Sequence, residues 1–139
     1  MDGYKSDLKK FTEKLETISP KKVFVYDSGK DTPFTAGRFA MPTALIEAAG
    51  GINIMDDFQK SWGTVTWEEV IDRNPEIVVI VNYGKVTAEQ KRKFMMSNLA
   101  FKNIDAVKNN RFVTLEYVEA TPGSRNIKAI KKLAKAFRY

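Results

Sequence analysis

Apolar residues follow a helical period at the start of the chain. Five of them recur at spacings of four and three residues, and the pattern stops before Pro20, a residue that a helix interior does not accept. They are Tyr4, Leu8, Phe11, Leu15 and Ile18. The spacing predicts an amphipathic helix over residues 4–18.

Four short apolar runs predict β-strands. Val23–Tyr26 lies between two lysines and a turn-forming Asp-Ser-Gly segment. Ile77–Val81 consists of five consecutive β-branched residues, which is typical of a central parallel strand covered by helices on both faces. Shorter runs at Ile52–Ile54 and Phe112–Leu115 complete the set. A parallel sheet needs crossover connections, so helices are expected between these strands.

Capping signals place helices between the strands. Thr66 with Glu69, and Thr87 with Gln90, have the spacing of a capping box. The predicted helices run from 41 to 50, from 66 to 74, from 87 to 96, from 103 to 109 and from 124 to 137. This alternation predicts an α/β fold, a three-layer Rossmann-like arrangement with a mostly parallel central sheet.

The composition limits the chemistry that the chain can perform. Its 139 residues are 43% hydrophobic, carry a net charge of +6 and include no Cys and no His. A Cys/His zinc site, a Cys or Ser/His nucleophile and a disulfide framework therefore lack their atoms. No glycine-rich nucleotide motif occurs, and no apolar run reaches the roughly 18 residues of a membrane span. The length fits one domain, and we expect no metal and no resident cofactor.

The positive charge raises the question of a nucleic-acid partner. Many Lys and Arg residues lie in the two end segments, on the polar faces of the predicted helices. We interpret them as solvated and expect no nucleic acid to bind. The alternative, binding through these helices, predicts steeply salt-dependent association with DNA.

The loops after the predicted strands carry the candidate binding residues, because the ligand crevice of an open α/β sheet lies beyond the carboxyl ends of its strands. The loops cover residues 27–39, 55–65, 82–86 and 116–123. Their aromatic rings, single Arg and few carboxylates suit a bulky, partly planar or anionic ligand. The candidates are Phe34, Arg38, Phe39, Trp62, Asn82, Tyr83, Tyr117 and Glu119.

Each candidate has a structural alternative. The aromatic residues could cap the edge of the core, and Arg38 could cap a helix end or pair with a surface carboxylate. Asp56 and Asp57 could be interpreted as a metal-binding or acid/base pair, but adjacent acids before a loop are usually solvated. We therefore assign no active site to them.

Five segments carry a family resemblance: VFVYDSG at 23–29, TAGRFAMPTALIEAAGGINI at 35–54, SWGTVTWEEVIDRNPEIVVIV at 61–81, AVKNNRFVTL at 106–115 and TPGSRNIKAIKKLAKAF at 121–137. They resemble the C-terminal lobe of the class III periplasmic binding proteins, which deliver ferric siderophores, haem and cobalamin to ABC importers. In that family a long rigid helix joins two α/β lobes, and the ligand lies between them. The resemblance implies that residues 1–19 end the interlobe helix, that residues 20–139 form one ligand-binding lobe, and that the N-terminal lobe and signal are absent from the chain.

The resemblance also implies roles for single residues. Trp62 and Phe34 match positions that line the cleft in cobalamin-type members. Arg38 matches an Arg that contacts the anionic iron complex in catecholate-siderophore members. Those members carry a second Arg where this chain has Asn82 and Tyr83.

Glu68 falls on the acidic position that similar proteins use to pair with Arg residues of the permease. The capping box occupies Glu69 and leaves Glu68 to project from the first helical turn, where the helix dipole favours negative charge. A merely solvated acid is the alternative.

Together these features predict a non-enzymatic binding lobe. Its parent receptor would capture an iron chelate outside the cytoplasmic membrane, in the periplasm or on the outer membrane face, and deliver it to an ABC permease dimer driven by its ATPase. A lipid anchor on the parent protein is part of what the resemblance implies. The alternatives are a corrinoid as ligand, or a small α/β enzyme domain that uses carboxylates.

Overall fold

The computed structural model of the protein describes residues 20–82, 84–116 and 126–138. The strands there are β1 Lys21–Tyr26, β2 Phe34–Ala36, β3 Gly51–Asn53, β4 Trp62–Thr64, β5 Ile77–Asn82 and β6 Phe112–Glu116. The helices are α1 Met41–Ala48, α2 Trp67–Arg73, α3 Ala88–Ser97, α4 Asp105–Lys108 and α5 Asn126–Ala136, with a 3₁₀ turn at Leu99–Phe101. The helix predicted over residues 4–18, with the interlobe assignment of 1–19, lies outside the described residues.

Four strands form the central sheet, in the order β3-β1-β5-β6, and all of them run parallel. The register aligns Val25 of β1 with Val79 of β5, and Val79 with Val113 of β6. The five residues Ile77–Val81 are at most 2% exposed, so β5 is buried on both faces. The predicted parallel α/β sheet is confirmed, with β5 as a central strand.

Helices cover both faces of this sheet and complete three layers. On one face, α1 and α5 pack Leu45 and Leu133 against Val79. On the other face, α2, α3 and α4 pack around a cluster that includes Phe24 and Met95. Within the described ranges, no helix is long and apolar enough to cross a membrane.

Two threonines start helices as the sequence predicts. Thr87 accepts a hydrogen bond from the Gln90 N–H (3.2 Å), and the Gln90 side chain accepts one from the Thr87 N–H (2.9 Å), which completes a capping box. Thr66 accepts from the Glu69 N–H at 3.2 Å and starts α2, but its hydroxyl donates to the Glu69 carboxylate at 3.3 Å, so only one half of the predicted capping box is seen. Asn74 ends α2 in the left-handed conformation, with φ of 45°.

The loops predicted at 27–39 and 55–65 are not wholly irregular. Each contains a three-residue strand, and these strands, β2 and β4, form an antiparallel pair that we call the ribbon. The expectation of simple loops was wrong because three residues are too few to show a period of two, and because the partners lie far apart in the chain. Gly37 follows β2 where any Cβ would collide with the Lys60 carbonyl oxygen, so the two loops approach very closely.

Candidate functional site

The sheet order places a topological switch point at the carboxyl ends of β1 and β5. From β1 the chain moves to β3 on one side, and from β3 it crosses to β5 on the other side of β1. Loops that leave two neighbouring strands in opposite directions open a crevice between them, where α/β proteins bind ligands. The fold therefore directs attention to the residues after Tyr26 and Asn82.

A cavity of about 330 Å³ lies at this switch point. Its residues come from the end of β1 with the following turn, and from α3 with the residue Val86 before it. We call it the switch-point pocket; it is lined by Tyr26, Ser28, Gly29, Lys30, Val86, Gln90, Lys91, Lys93 and Phe94. Its size is at the small end of the range for ligand pockets.

A buried lysine, Lys91, belongs to the pocket lining, and a buried acid, Asp27, lies next to the lining residues Tyr26 and Ser28 in the chain. Lys91 is 2% exposed and its Nζ donates to the Val81 carbonyl at 2.9 Å. Asp27 is 7% exposed and accepts a hydrogen bond from the Ser28 hydroxyl at 3.0 Å. Burial raises the pKa of Asp27, while the Ser28 hydrogen bond and the charge of Lys91 act in the opposite direction. Burial lowers the pKa of Lys91, and Asp27 opposes that shift, so each charge makes the other easier to bury.

Tyr26 forms part of the wall and holds the turn that follows β1. Its hydroxyl donates to the Gly29 carbonyl at 2.8 Å. Burial raises the pKa of Tyr26 to about 12, so the phenol stays neutral and remains a donor at physiological pH. The turn is thus tied to the strand that precedes it.

The ribbon brings two predicted residues together beside the pocket. The rings of Phe34 and Trp62 stack with centroids 5.9 Å apart and planes inclined by 7°. Phe34 is 36% exposed, and Trp62 is half-buried. The Phe34 N–H donates to the Ser28 carbonyl at 2.8 Å, which joins the stacked pair to the pocket wall. A flat apolar group would find a platform here.

Arg38 pairs with a surface carboxylate, which is one of the two structural alternatives that the sequence analysis gave for it. Its guanidinium forms a bidentate pair with Glu47 of α1, at 2.6 and 2.9 Å. The hydrogen bond and charge of Glu47 raise the pKa of Arg38. Both side chains are more than a third exposed, so the pair is accessible to water and contributes little to stability. An anionic ligand that reached Arg38 would have to compete with the Glu47 carboxylate for the guanidinium. The predicted binding residue Phe39, next in the chain, is 65% exposed.

The remaining candidates divide into two groups. Asn82 connects elements: its Nδ2 donates to Glu116 at 3.0 Å and its Oδ1 accepts from the Ala88 N–H at 3.3 Å. The predicted roles of Tyr83, Tyr117 and Glu119 fall on residues outside those that the structure describes. These assignments therefore stay predictions.

Asp57, one of the two adjacent acids to which no active site was assigned, forms a surface ion pair. Asp57 pairs with Arg73 at 2.7 Å, and this ion pair lowers the pKa of Asp57. Over residues 20–82, 84–116 and 126–138, no group of acidic side chains is arranged to hold a metal ion. Glu68 is exposed in the first turn of α2, and among the described residues it forms no ion pair.

Sequence reasoning missed the α3 side of the pocket. Gln90, Lys93 and Phe94 follow each other at spacings of three and one, which places them on one face of α3. None of these residues, nor Lys30, was among the predicted binding residues, and Gln90 was predicted only as the capping partner of Thr87. The order of the elements could have identified these residues. The helix α3 directly follows the central strand β5, so its first turns border the crevice at the carboxyl end of that strand.

Comparison with known proteins gives the family. Residues 1–119 match the family model described as periplasmic binding protein, which is most of the chain. The chain belongs to the periplasmic binding protein family. A curated relative of this chain is the uncharacterized ABC transporter substrate-binding lipoprotein YvrC of Bacillus subtilis (strain 168). It is 29% identical over 136 residues, which cover 95% of this chain and 41% of YvrC.

Solved structures agree with the fold of this chain. A periplasmic binding protein from Veillonella parvula is 30% identical with a TM-score of 0.76, over 97% of this chain and 49% of that one. A possible iron-binding, periplasmic solute-binding protein from Staphylococcus epidermidis is 27% identical with a TM-score of 0.73, over 96% of this chain and 53% of that one. The chain thus spans about half the length of these relatives.

Proposed function

We propose that this chain is a ligand-binding lobe of the substrate-binding protein of an ABC importer, and that the ligand is an iron chelate. The observation that carries the proposal is the switch-point pocket with the Phe34–Trp62 platform beside it. Family membership supports a binding protein, and the S. epidermidis relative is named as possibly iron-binding. Capture requires only contact surfaces, and the chain contains no His or Cys to serve as a nucleophile or base.

The proposal includes a place and partners. The parent receptor would act outside the cytoplasmic membrane and deliver its ligand to a permease dimer whose ATPase supplies the energy. The name of YvrC as a lipoprotein supports a lipid anchor on the parent. A corrinoid is the second candidate ligand, because the nearly parallel rings of Phe34 and Trp62 would also stack on a flat macrocycle.

Nuclear magnetic resonance of the 15.8 kDa chain tests the ligand class. We expect a ferric hydroxamate, haem or cobalamin to shift or broaden the backbone signals of Phe34 and its neighbours, together with the indole N–H of Trp62. The backbone signals of Lys102 and Lys108, two exposed residues outside the pocket lining, are the internal control. The gallium complex of the hydroxamate separates contact shifts from paramagnetic broadening by iron.

Substitution of Trp62 sharpens this test. Trp62→Ala removes half of the platform and is expected to weaken binding about tenfold, while Trp62→Phe keeps a stacking ring and retains most of the affinity. Titrations of the three proteins with the best ligand of the panel give the ratio. If none of the three ligand classes perturbs the platform at millimolar concentration, the proposed ligand class is wrong.

Glu68 is proposed to dock on the permease. In the complete receptor, Glu68→Lys is expected to lower ligand uptake about tenfold or more, because a reversed charge at a charged interface costs several kcal/mol. Ligand affinity should stay within twofold, since Glu68 lies outside the pocket lining. Uptake and binding are measured on receptor reconstituted with permease and ATPase.

Asp72→Lys is the matched control, with the same charge change on an exposed residue of the same helix. Normal uptake by the Asp72 variant with reduced uptake by the Glu68 variant supports docking. Equal uptake by both variants and the unmodified receptor removes the docking role.

A further inference from the structure

Three lysines and no carboxylate line the switch-point pocket. Lys91 is buried, with Asp27 as its nearby countercharge. Lys30, from the turn after β1, and Lys93, from α3, are both exposed and reach the pocket from different elements. Among the described residues neither of these two forms an ion pair. The pocket therefore presents positive charge to whatever enters it.

The structure holds Lys30 in place. Its carbonyl accepts the Trp67 indole N–H at 2.7 Å, and its ammonium lies 5.8 Å from the centre of the Phe94 ring. The Tyr26 hydroxyl fixes the preceding Gly29 carbonyl. A charged group that is already ordered loses less entropy when it binds a ligand.

The rest of the lining determines the kind of anion. The rings of Tyr26 and Phe94, with the side chain of Val86, give the pocket an apolar wall, and Gln90 adds an amide. A strongly hydrated inorganic ion gains nothing from apolar walls, whereas a carboxylate on a hydrocarbon or aromatic arm uses both the walls and the ammonium groups. The volume of about 330 Å³ suits an arm rather than a whole chelate.

We propose that the switch-point pocket binds a carboxylate carried on an apolar or aromatic arm, with Lys30 and Lys93 on its two sides. The backbone bond between Phe34 and Ser28 connects the strand that carries the aromatic platform to a residue of the pocket lining. One ligand would then stack its flat or metal-bearing part on the platform and insert its acidic arm into the pocket. That the arm belongs to the transported ligand rests on the proposed function.

A matched pair of small probes tests the pocket without any iron chelate. The 139-residue chain, labelled with ¹⁵N, is titrated with 3-phenylpropionate and with 3-phenylpropanamide, which differ in charge but hardly in shape. We expect the acid to shift signals of Ser28, Lys30 and Phe94 and to bind about tenfold more tightly than the amide. Sodium phosphate at equal ionic strength is expected to shift these signals little.

Lysine variants identify the groups that recognise the charge. Lys30→Gln and Lys93→Gln are each expected to weaken binding of the acid about threefold, and the double variant should bind acid and amide equally. Lys102→Gln and Lys108→Gln, at exposed lysines outside the pocket, should bind the acid normally. Equal binding of acid and amide by the unmodified chain, or an unchanged preference in the double variant, overturns the proposal.

The test separates this inference from the proposed function. If 3-phenylpropionate binds as expected but no iron chelate or corrinoid does, the pocket stands and the proposed function fails. If chelates bind on the platform while the double lysine variant binds acid and amide as before, the function stands and the pocket proposal fails.

Discussion

Replacing Trp67 with alanine is expected to lower the free energy of unfolding by about 3 kcal/mol. The indole is the centre of the aromatic cluster between α2 and the sheet, and α2 has few other buried side chains to hold it. Its ring centroid lies 4.5 Å from Phe101 and 5.3 Å from Tyr26, with Phe24 and Phe94 at 5.9 and 6.0 Å. Alanine would remove all four ring contacts at once. Urea unfolding followed by far-ultraviolet circular dichroism measures the loss.

A conservative variant separates packing from the hydrogen bond to the pocket. Trp67→Phe keeps a ring in the cluster but removes the N–H that holds the Lys30 carbonyl, so the expected loss is about 1 kcal/mol. The turn that carries Lys30 should loosen, which amide hydrogen exchange at Gly29 and Lys30 would detect. A loss below about 1 kcal/mol for Trp67→Ala would contradict the central role of this ring.

The sequence predicted the parts of the fold that leave a local pattern. Val23–Tyr26 and Ile77–Val81 have the length and the β-branched or aromatic composition typical of buried strands, and Thr66 and Thr87 start helices through bonds to residues three positions ahead. The ribbon leaves no such pattern. Its strands have three residues each and pair across a separation of more than 20 residues, so their pairing appears only when the sheet is assembled.

The candidate site was predictable to a similar extent. The rule that ligands bind beyond the carboxyl ends of strands selected Phe34 and Trp62, and the structure stacks them. The same rule found Arg38, but no periodicity could show that Glu47 on α1 binds its guanidinium. The rule also could not distinguish Lys30 and Lys93 from the other exposed lysines. The two residues line one pocket but come from different elements, and no local sequence pattern links them.

The second large effect is expected at Asn53, which connects the sheet to the ribbon. Asn53 is fully buried, and its Nδ2 donates to the Ala36 carbonyl and the Thr43 hydroxyl, both at 2.8 Å. Its Oδ1 accepts from the Met55 N–H at 3.0 Å. The Thr43 hydroxyl donates in turn to the Gly37 carbonyl at 2.6 Å. One amide thus holds β2, β3 and α1 together and fixes the backbone just before Arg38.

Asn53→Ala is expected to lower the free energy of unfolding by about 3 kcal/mol, because a buried acceptor and a buried donor lose their partner and each costs about 1–3 kcal/mol. Asn98→Ala is the matched control: it removes a single cap at the Ala100 N–H and should cost about 1 kcal/mol. Urea unfolding of the two variants gives the difference. Equal small losses would show that the Asn53 hydrogen bonds do not hold the ribbon.

Asn53→Asp tests the same network through pH, since it keeps the shape and the acceptor for Met55 but removes the N–H donor to Ala36. Burial without a partner cation should raise the pKa of the introduced carboxyl in the folded state. The folded protein then binds the proton more tightly than the unfolded chain, so this variant should lose stability as pH rises from about 4 towards 7. At low pH the protonated acid can donate to the Ala36 carbonyl, and the variant should approach the parent chain. A difference between the two proteins that is the same at pH 4 and pH 7 would mean that the donor at this position does not hold the ribbon to the sheet.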